Sequence, residues 1–138
     1  MGHLDHSVAT LRLFGDDLQP EDISRLLGAK ATEAHRKGDE IVGKFSSSVR
    51  IAKTGSWRLS AVRREPEDLE SQIFEVLGQL SSDLSIWRML GERYKLDFFC
   101  GIFMSGSNDG LPLSYKVLRA LGERCINLDL DIYDTSSD

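Results

Sequence analysis

The chain has 138 residues and a mass of 15.5 kDa, which is the usual size of a single domain. Its 17 Lys and Arg stand against 22 Asp and Glu, giving a formal net charge of −5, and 41% of the residues are hydrophobic. This composition excludes wholesale disorder, collagen and a coiled coil, and the longest apolar run, Phe98 to Met104, is too short for a transmembrane helix.

The first third of the chain predicts a strand, a helix and a second strand. Residues 8–14 alternate apolar and polar side chains, which is typical of a strand with one buried face. Pro20 suits the first position of a helix, because its missing N–H has no partner there in any case, and Gly28 suits the end. Residues 31–36 predict a short strand after that helix.

The middle of the chain predicts a hairpin followed by two helices. The basic segment 50–62, with a Thr-Gly pair inside it, favours a β-hairpin in which Trp57 points into the core. Pro66 predicts the start of the longest helix, whose apolar residues recur at helical spacing. A short helix follows, capped by Ser82 or Asp83.

The last third predicts a buried strand, a helix and a final strand. Residues 96–104 are apolar on both faces, which favours a central strand covered on both sides. Ser114 caps the next helix, which ends at Gly122, and residues 127–133 alternate again. The side chains expected to face the core in that strand are Leu128, Leu130 and Ile132.

Residues 8–36 and 96–133 share one order of elements, namely strand, turn, helix ending in Leu-Gly, and strand. We therefore predict an α+β fold with a single mixed sheet built from two βαβ-like units, with the helices packed mainly on one face, of ferredoxin-like or related type. Residues 8–134 are expected to form one domain, with flexible ends at 1–7 and 135–138.

Charge is distributed unevenly along the chain. Residues 1–64 carry 11 basic and 8 acidic side chains, whereas residues 65–138 carry 6 and 14. This asymmetry is compatible with an anion-binding face and equally with a surface on which basic and acidic strands are neighbours. Nucleic acid is not expected as a partner, because a domain that binds it usually has a basic total charge.

Few residue patterns point to chemistry. Asp16 and Asp17 lie at a predicted strand-to-helix junction, where two carboxylates can share acid and base work or simply stabilise a turn. They are candidate ligand or partner contacts, together with Arg36 and Arg58 from the basic segment.

The residue patterns that could indicate a metal site, a phosphate-binding loop or a catalytic nucleophile are weaker than these candidates. Asp129 and Asp131 face one side of a strand, but the spacing of a calcium loop is absent. The glycine-rich segment 105–110 lacks the Gly-Lys of a phosphate-binding loop. No Ser/His/Asp or Cys/His arrangement can be assembled. We therefore expect no catalytic, metal or cofactor-binding residues, no cofactor and no enzyme activity.

Four segments carry a resemblance to a known family: LRLFGDDLQPEDISRLLG, RKGD at residues 36–39, GSWRLS at residues 55–60 and the C-terminal LGERCINLDLDIYD. With these segments in this order, residues 8–134 resemble the bacterial family catalogued as domain of unknown function 4279. The resemblance implies the family's fold and a bacterial source. It implies no activity, because none is established for the family.

These observations together predict a noncatalytic bacterial module that binds a protein or a small ligand. The alternative is an RNA-binding module that stacks bases on the aromatic strands around Phe14 and Phe98–Phe103. Cys100 and Cys125 are too few for a disulfide framework, and the N-terminus lacks the features of a signal peptide. We therefore expect a cytoplasmic protein without membrane association, whose oligomeric state, a homodimer included, stays open.

Overall fold

The computed structural model of the chain describes residues 6–43, 45, 47–65, 67–106 and 110–134. The elements in chain order are β1 (His6–Gly15), α1 (Pro20–Leu27), β2 (Glu33–His35), β3 (Glu40–Val42), β4 (Val49–Ile51), β5 (Gly55–Ser60), α2 (Leu69–Leu77), α3 (Leu84–Arg93), β6 (Lys95–Met104), α4 (Tyr115–Glu123) and β7 (Asn127–Asp134).

Five strands form one mixed sheet in the order β2-β5-β1-β6-β7, and β3 and β4 form a separate two-stranded sheet. Strands β6 and β7 are parallel, and the other neighbours in the large sheet are antiparallel. Because β1 and β2 are both antiparallel to β5, they are parallel to each other. Helices α1 and α4 therefore each join two parallel strands, and the predicted mixed α+β sheet is confirmed.

The core lies between the sheet and the helices, on one face of the sheet. The predicted inward face of β1 is confirmed, since Ala9, Leu11 and Leu13 are buried there. They share one apolar cluster with the buried residues of all four helices. The largest fully buried side chains of this cluster are Trp57, Trp87 and Phe98. The helices thus cover this face, and none of the described helices packs on the opposite face of the sheet.

The predicted burial of Trp57 is confirmed, but the predicted hairpin is wrong. Strand β5 pairs with β1 and β2, placing Trp57 opposite Leu13 and Ala34, whereas β4 pairs with β3. The two halves of the segment differ in burial rather than in polarity, since Val49 and Ile51 of β4 are apolar and yet exposed. β5 contributes a buried apolar face to the large sheet, and β4 is exposed along its whole length.

The helix ends follow local sequence signals with one exception. Pro20 begins α1, and Gly28 ends it in the left-handed conformation with φ of 80°. Asp83 and Ser114 cap α3 and α4 through their side chains. The predicted stop at Gly122 is wrong: α4 continues to Glu123, and Cys125 takes the left-handed position with φ of 59°.

The burial of the last two strands differs from the prediction. Leu130 and Ile132 are exposed, Ile132 at 59%, because β7 is an edge strand that α4 covers only in part. β6 is central as predicted, but its second face is not covered by a helix, so Phe99 and Phe103 stay partly exposed there. This uncovered face is where the candidate site lies.

Ser7 lies within the segment 1–7 that is expected to be flexible, yet it belongs to β1 and takes part in a buried polar network. Ser7 and Gln72 are fully buried. The Ser7 hydroxyl donates to Gln72 Oε1 at 2.5 Å, and Gln72 Nε2 donates to the Ser7 and Val62 carbonyls, each at 2.9 Å. The rest of the predicted flexible ends, residues 1–5 and 135–138, and Pro66 lie outside the described residues. The helix predicted to start at Pro66 and to be the longest begins at Leu69 with 9 residues, whereas α3 has 10, so this prediction is wrong.

Candidate ligand-binding site

The face of the large sheet opposite the helices, called the open face below, carries aromatic and charged side chains. Each strand gives every second side chain to this face. The side chains at its centre are Thr10, Arg12 and Phe14 from β1, Ser56 and Arg58 from β5, Phe99, Gly101 and Phe103 from β6, and Asp129, Asp131 and Tyr133 from β7. Rings and guanidinium groups on a solvent-facing sheet mark it as a candidate binding surface.

A groove with a volume of about 270 Å³ crosses the open face. It is lined by Val8, Thr10, Arg12, Arg58, Phe99, Gly101, Phe103 and Tyr133. Gly101 keeps the floor low, because a Cβ at this position would lie 2.7 Å from Val8 Cγ2 and 3.2 Å from Phe103 Cε2. A glycine inside a strand often marks such a close approach.

Two stacked rings, Phe103 and Tyr133, form one wall of the groove, and the ring of His6, which does not line the groove, stacks on Phe103. His6 stacks on Phe103 with 4.0 Å between ring centroids, and Tyr133 stacks at 4.8 Å from Phe103. In the sheet His6 and Tyr133 are the partners of Phe103 on the two neighbouring strands, so they cover opposite faces of its ring. The groove therefore meets the edge of the Phe103 ring.

Arg12 is held at the centre of the open face by carboxylates and rings. Its guanidinium donates to the two oxygens of the buried Asp97 at 2.8 and 2.7 Å and lies 3.5 Å from Asp129. It also lies over the rings of Phe99, at 4.5 Å, and Phe14, at 5.1 Å. The hydrogen bond that Arg12 donates to Asp97 raises the pKa of Arg12, and desolvation opposes this shift. Its positive charge is thus neutralised within the protein.

Arg58 is the second cation of the groove, and it has no carboxylate partner among the described residues. Its guanidinium lies over the Phe14 ring at 5.5 Å, and its Nε is buried without a hydrogen-bond partner among the described residues. Arg58 also lines a second, smaller cavity between β5 and the β3–β4 hairpin. Of the four residues predicted from the sequence as contacts, Arg58 is the one that the structure places in the groove.

The other three candidates form surface ion pairs and are not brought together. Asp16 binds Lys37 at 3.2 Å, and Asp17 binds Arg93 at 3.2 Å, so the two adjacent carboxylates have different partners. Hydrogen bonds from the Thr54 hydroxyl and from Lys37 lower the pKa of Asp16. Beyond these, Arg36 binds Glu21 at 2.7 Å, and this hydrogen bond raises the Arg36 pKa.

The described residues give no support to a metal centre. Asp129 lies beside Arg12, and Asp131 accepts a hydrogen bond from the Tyr133 hydroxyl. Across the described ranges, no three His, Cys, Asp or Glu side chains are grouped so that they could hold an ion. None of the helices described combines the length and the apolarity needed to cross a bilayer.

The two cysteines are expected to differ sharply in reactivity. Cys100 is buried in the core, where desolvation raises the pKa of its thiol to about 12, whereas Cys125 is exposed. Iodoacetamide at pH 8 should therefore label the folded chain once, at Cys125, and the urea-unfolded chain twice, as counted by mass spectrometry. A Cys125→Ser variant should take no label when folded. Labelling of folded Cys125→Ser would show that Cys100 is accessible.

The sequence matches one of the known protein families over nearly its whole length. The model described as domain of unknown function (DUF4279) matches residues 5–135. The chain belongs to this family. For this DUF4279 domain, neither the comparison with curated proteins nor that with solved structures found a match.

Sequence reasoning about this DUF4279 chain missed the elements that shape the groove. Gly101 interrupts an apolar strand, which is a usable signal for a close approach. Thr10 and Phe99, by contrast, carry no local signal for their contact, because they meet only through the pairing of β1 with β6. The groove thus depends on which strands become neighbours.

Proposed function

We propose that this DUF4279 domain is a noncatalytic bacterial binding module that acts in the cytoplasm and takes a small ligand with a flat ring into the groove of the open face. The observation that carries the proposal is the groove itself, a cavity of about 270 Å³ lined by ring edges and by the unpaired Arg58. Sites for small molecules are concave, mostly apolar and equipped with a few polar groups, and this groove has each of these properties.

The size of the groove favours a small ligand over a protein. Pockets for drug-sized ligands have volumes of roughly 300–1,000 Å³, and this groove lies just below that range. A protein partner needs a broad surface, whereas the groove is a local depression above Gly101. The occupant that fits this space is a molecule with one ring or two fused rings.

The rings of the groove favour a flat, aromatic occupant. The Phe103 ring is covered on both faces, and the Phe99 ring has Arg12 on one face, so ring edges are left to line the groove. Edge-to-face contact is one of the preferred arrangements of aromatic pairs. A ring lying above Gly101 would meet these edges with its own face.

The charges of the groove favour a negatively charged group at the β5 end. Arg12 is neutralised by Asp97 and Asp129, and the carboxylates of β7 make the opposite end acidic. Arg58 has no ion pair among the described residues, and its Nε lacks a hydrogen-bond partner. An acidic substituent on the ring would pair with Arg58.

The lining residues support a binding role rather than catalysis. None of them is a His, Cys, Asp or Glu. The Thr10 hydroxyl shares a 2.9 Å hydrogen bond with Ser60, and the Tyr133 hydroxyl is bound to Asp131. The Thr10 hydroxyl has no adjacent base, and the hydrogen bond to Asp131 raises the pKa of Tyr133, so neither hydroxyl is activated as a nucleophile.

RNA binding is the second candidate, since Phe99 and Phe103 lie on the open face as this function requires. Base stacking needs free ring faces, and the covered faces of Phe103 and Phe99 count against it. The formal net charge of −5 and the carboxylates on β7 also oppose phosphate chains.

We extend the proposal to the fold class and infer a ferredoxin-like core formed by β1, α1, β2, β5, α2, α3 and β6. The support is the order β2-β5-β1-β6. In it, β5 lies between the parallel strands β1 and β2, and β1 lies between the parallel strands β5 and β6. Each pair is a split βαβ unit. Helix α4 and β7 then form an addition at the β6 edge.

The test is a titration of the ¹⁵N-labelled chain with benzoate, 4-hydroxybenzoate and indole-3-carboxylate, followed by amide chemical shifts. We expect saturable shifts at Thr10, Phe99 and Gly101. The substitution Val8→Tyr should fill the groove and abolish them, because Val8 touches the space above Gly101. The matched control is Val62→Tyr, at an exposed position outside the groove, which should leave binding unchanged.

Two outcomes would contradict the proposal. One is the absence of saturable shifts on the open face with all three acids, and the other is equal binding by the two tyrosine variants. A parallel fluorescence-anisotropy titration with single-stranded RNA separates the alternative. RNA binding is the better hypothesis if the chain binds RNA in a salt-sensitive way, and if Val8→Tyr weakens this binding while Val62→Tyr leaves it intact.

A further inference from the structure

We infer that the smaller cavity beside the groove is a phosphate site. This cavity, called the anion pocket below, has a volume of about 140 Å³. It lies between β5 and the β3–β4 hairpin, and Phe14 and Ile41 form apolar parts of its wall. The polar groups that argue for an anion are Ser56, Arg58, Arg50 and Lys53.

Three cationic side chains converge on the anion pocket without internal partners. Arg50, Lys53 and Arg58 all line it, and none forms an ion pair within the part of the chain that the structure describes. Nearby cations behave differently, since Lys37 is bound by Asp16 at 3.2 Å. Three unpaired positive charges around one cavity favour an anion with more than one negative charge.

The carboxylates near the anion pocket do not form ion pairs with its three cations among the described residues. Among the described residues that line it there is no Asp or Glu. Glu33 faces Arg58 across the pairing of β2 and β5, but its side chain is 53% exposed and forms no ion pair with Arg58 among the described residues. Asp16 is held by Lys37 and by the Thr54 hydroxyl. The positive charge of the pocket is therefore left for a ligand.

Two buried polar atoms in this pocket lack partners, which is the second and independent observation. Ser56 is only 3% exposed, and its Oγ has no hydrogen-bond partner among the described residues. The Arg58 Nε is likewise buried and unpartnered. Buried polar groups in native proteins are nearly always hydrogen-bonded, so a pocket that gathers two unpaired donors indicates a ligand with acceptor atoms.

The donor set fits phosphate better than carboxylate. Arginine matches phosphate oxygens with paired N–H groups, and lysine supplies a compact charge. The serine hydroxyl donates one further hydrogen bond. A carboxylate has two oxygens and one charge, which leaves part of this set unused. A water molecule would satisfy Ser56 but would not balance three cations.

Arg58 connects the anion pocket with the groove, since it lines both. A ligand with its ring in the groove could therefore place a phosphate in the pocket on the other side of Arg58. This joining step rests on the proposed function, whereas the phosphate site also rests on Ser56, Arg50 and Lys53, which do not line the groove. The ligand class that follows is a phosphate monoester of a small aromatic compound.

The experiment is an isothermal titration of the whole chain with inorganic phosphate. We expect saturable binding that weakens by about tenfold or more in Arg58→Gln and in Lys53→Gln, because each removes a charged hydrogen bond. Ser56→Ala should weaken it by roughly threefold, the cost of a neutral hydrogen bond. The matched controls are Lys116→Gln, at an exposed lysine remote from the pocket lining, and Ser60→Ala, on the same strand and face.

Circular dichroism confirms that each variant is folded before its affinity is compared. No phosphate binding by the folded wild-type chain, or equal weakening in pocket variants and controls, would overturn the phosphate site. Phenyl phosphate tests the joining step. Tighter binding than inorganic phosphate that is lost in Val8→Tyr supports it, whereas equal affinities refute it while the phosphate site stands. If the wild-type chain binds aromatic acids but not inorganic phosphate, the phosphate site in the anion pocket is refuted and the proposed ligand site in the groove stands.

Discussion

Trp57→Ala is expected to lower the free energy of unfolding by about 3–5 kcal/mol, as truncation of a large buried aromatic side chain does. Trp57 is 0% exposed and lies in the cluster between β5 and the helices. Its indole N–H donates to the Ser24 hydroxyl of α1 at 3.0 Å, so the substitution removes core volume and also a contact between the sheet and a helix.

Urea unfolding followed by circular dichroism measures this effect, with Trp57→Phe and Tyr115→Ala as controls. Trp57→Phe keeps most of the volume and loses the hydrogen bond to Ser24, so it should be less destabilising than alanine. Tyr115 is an exposed aromatic on α4, and its truncation should change stability by about 0.5 kcal/mol or less. A cost below that of Tyr115→Ala would mean that Trp57 does not anchor the core.

The magnitude matters because small domains are marginally stable. Their total free energy of unfolding is about 5–15 kcal/mol, so the loss of Trp57 takes a large share of it. The variant should therefore show a markedly lower melting temperature. Ligand binding at the open face should survive in the folded fraction, since Trp57 lies on the opposite face of β5 from Arg58.

The elements that the sequence predicted well are those whose signal is local. The alternation of residues 8–14, the proline at the start of α1 and the serine cap of α4 each depend on a few consecutive residues, and each is found in the structure. The burial of Trp57 was predictable for the same reason, since it alternates with Leu59.

The elements that the sequence did not predict depend on neighbours distant in the chain. Whether β5 pairs with β4 or with β1 is decided by which apolar faces can be buried together, and a basic segment with a Thr-Gly turn does not reveal it. The exposure of Ile132 follows from β7 being the last strand of the sheet, which its alternation cannot show.

The candidate site was predicted only in part for the same reason. Asp16 and Asp17 attracted attention because paired acids at a helix start are conspicuous, yet each has an ordinary surface partner. Arg58 was named only as part of a basic segment, and its role follows from lying opposite Arg12 in the sheet. The anion pocket needs the β3–β4 hairpin in place, and no short motif encodes that position.

Arg12→Met is expected to lower the free energy of unfolding by about 3–5 kcal/mol, the cost of leaving one partner of a buried ion pair alone. Asp97 is 5% exposed, and Arg12 is the cation paired with it among the described residues. The substitution also removes the guanidinium from the Phe99 ring, a contact worth about 0.5–2 kcal/mol.

The two partners of this ion pair are not equivalent, so we expect their substitutions to lower the free energy of unfolding by different amounts. Asp97→Asn leaves Arg12 with Asp129 at 3.5 Å and with both aromatic rings, so it should cost less than Arg12→Met. The double variant Arg12→Met/Asp97→Leu removes both charges and should be more stable than Arg12→Met alone, because apolar residues replace a buried pair at little cost.

A double-mutant cycle in urea, completed by the single variant Asp97→Leu, decides this expectation. Equal costs for the two single variants would mean that Asp129 and the rings do not hold the arginine, and additive costs in the double variant would mean that the pair is not coupled.

Coupling between Arg12 and Asp97 has a consequence for ligand binding in the groove. If Arg12 is neutralised by Asp97, then Asp97→Asn frees positive charge at the open face, and it should tighten the binding of an aromatic acid that Arg58→Gln weakens.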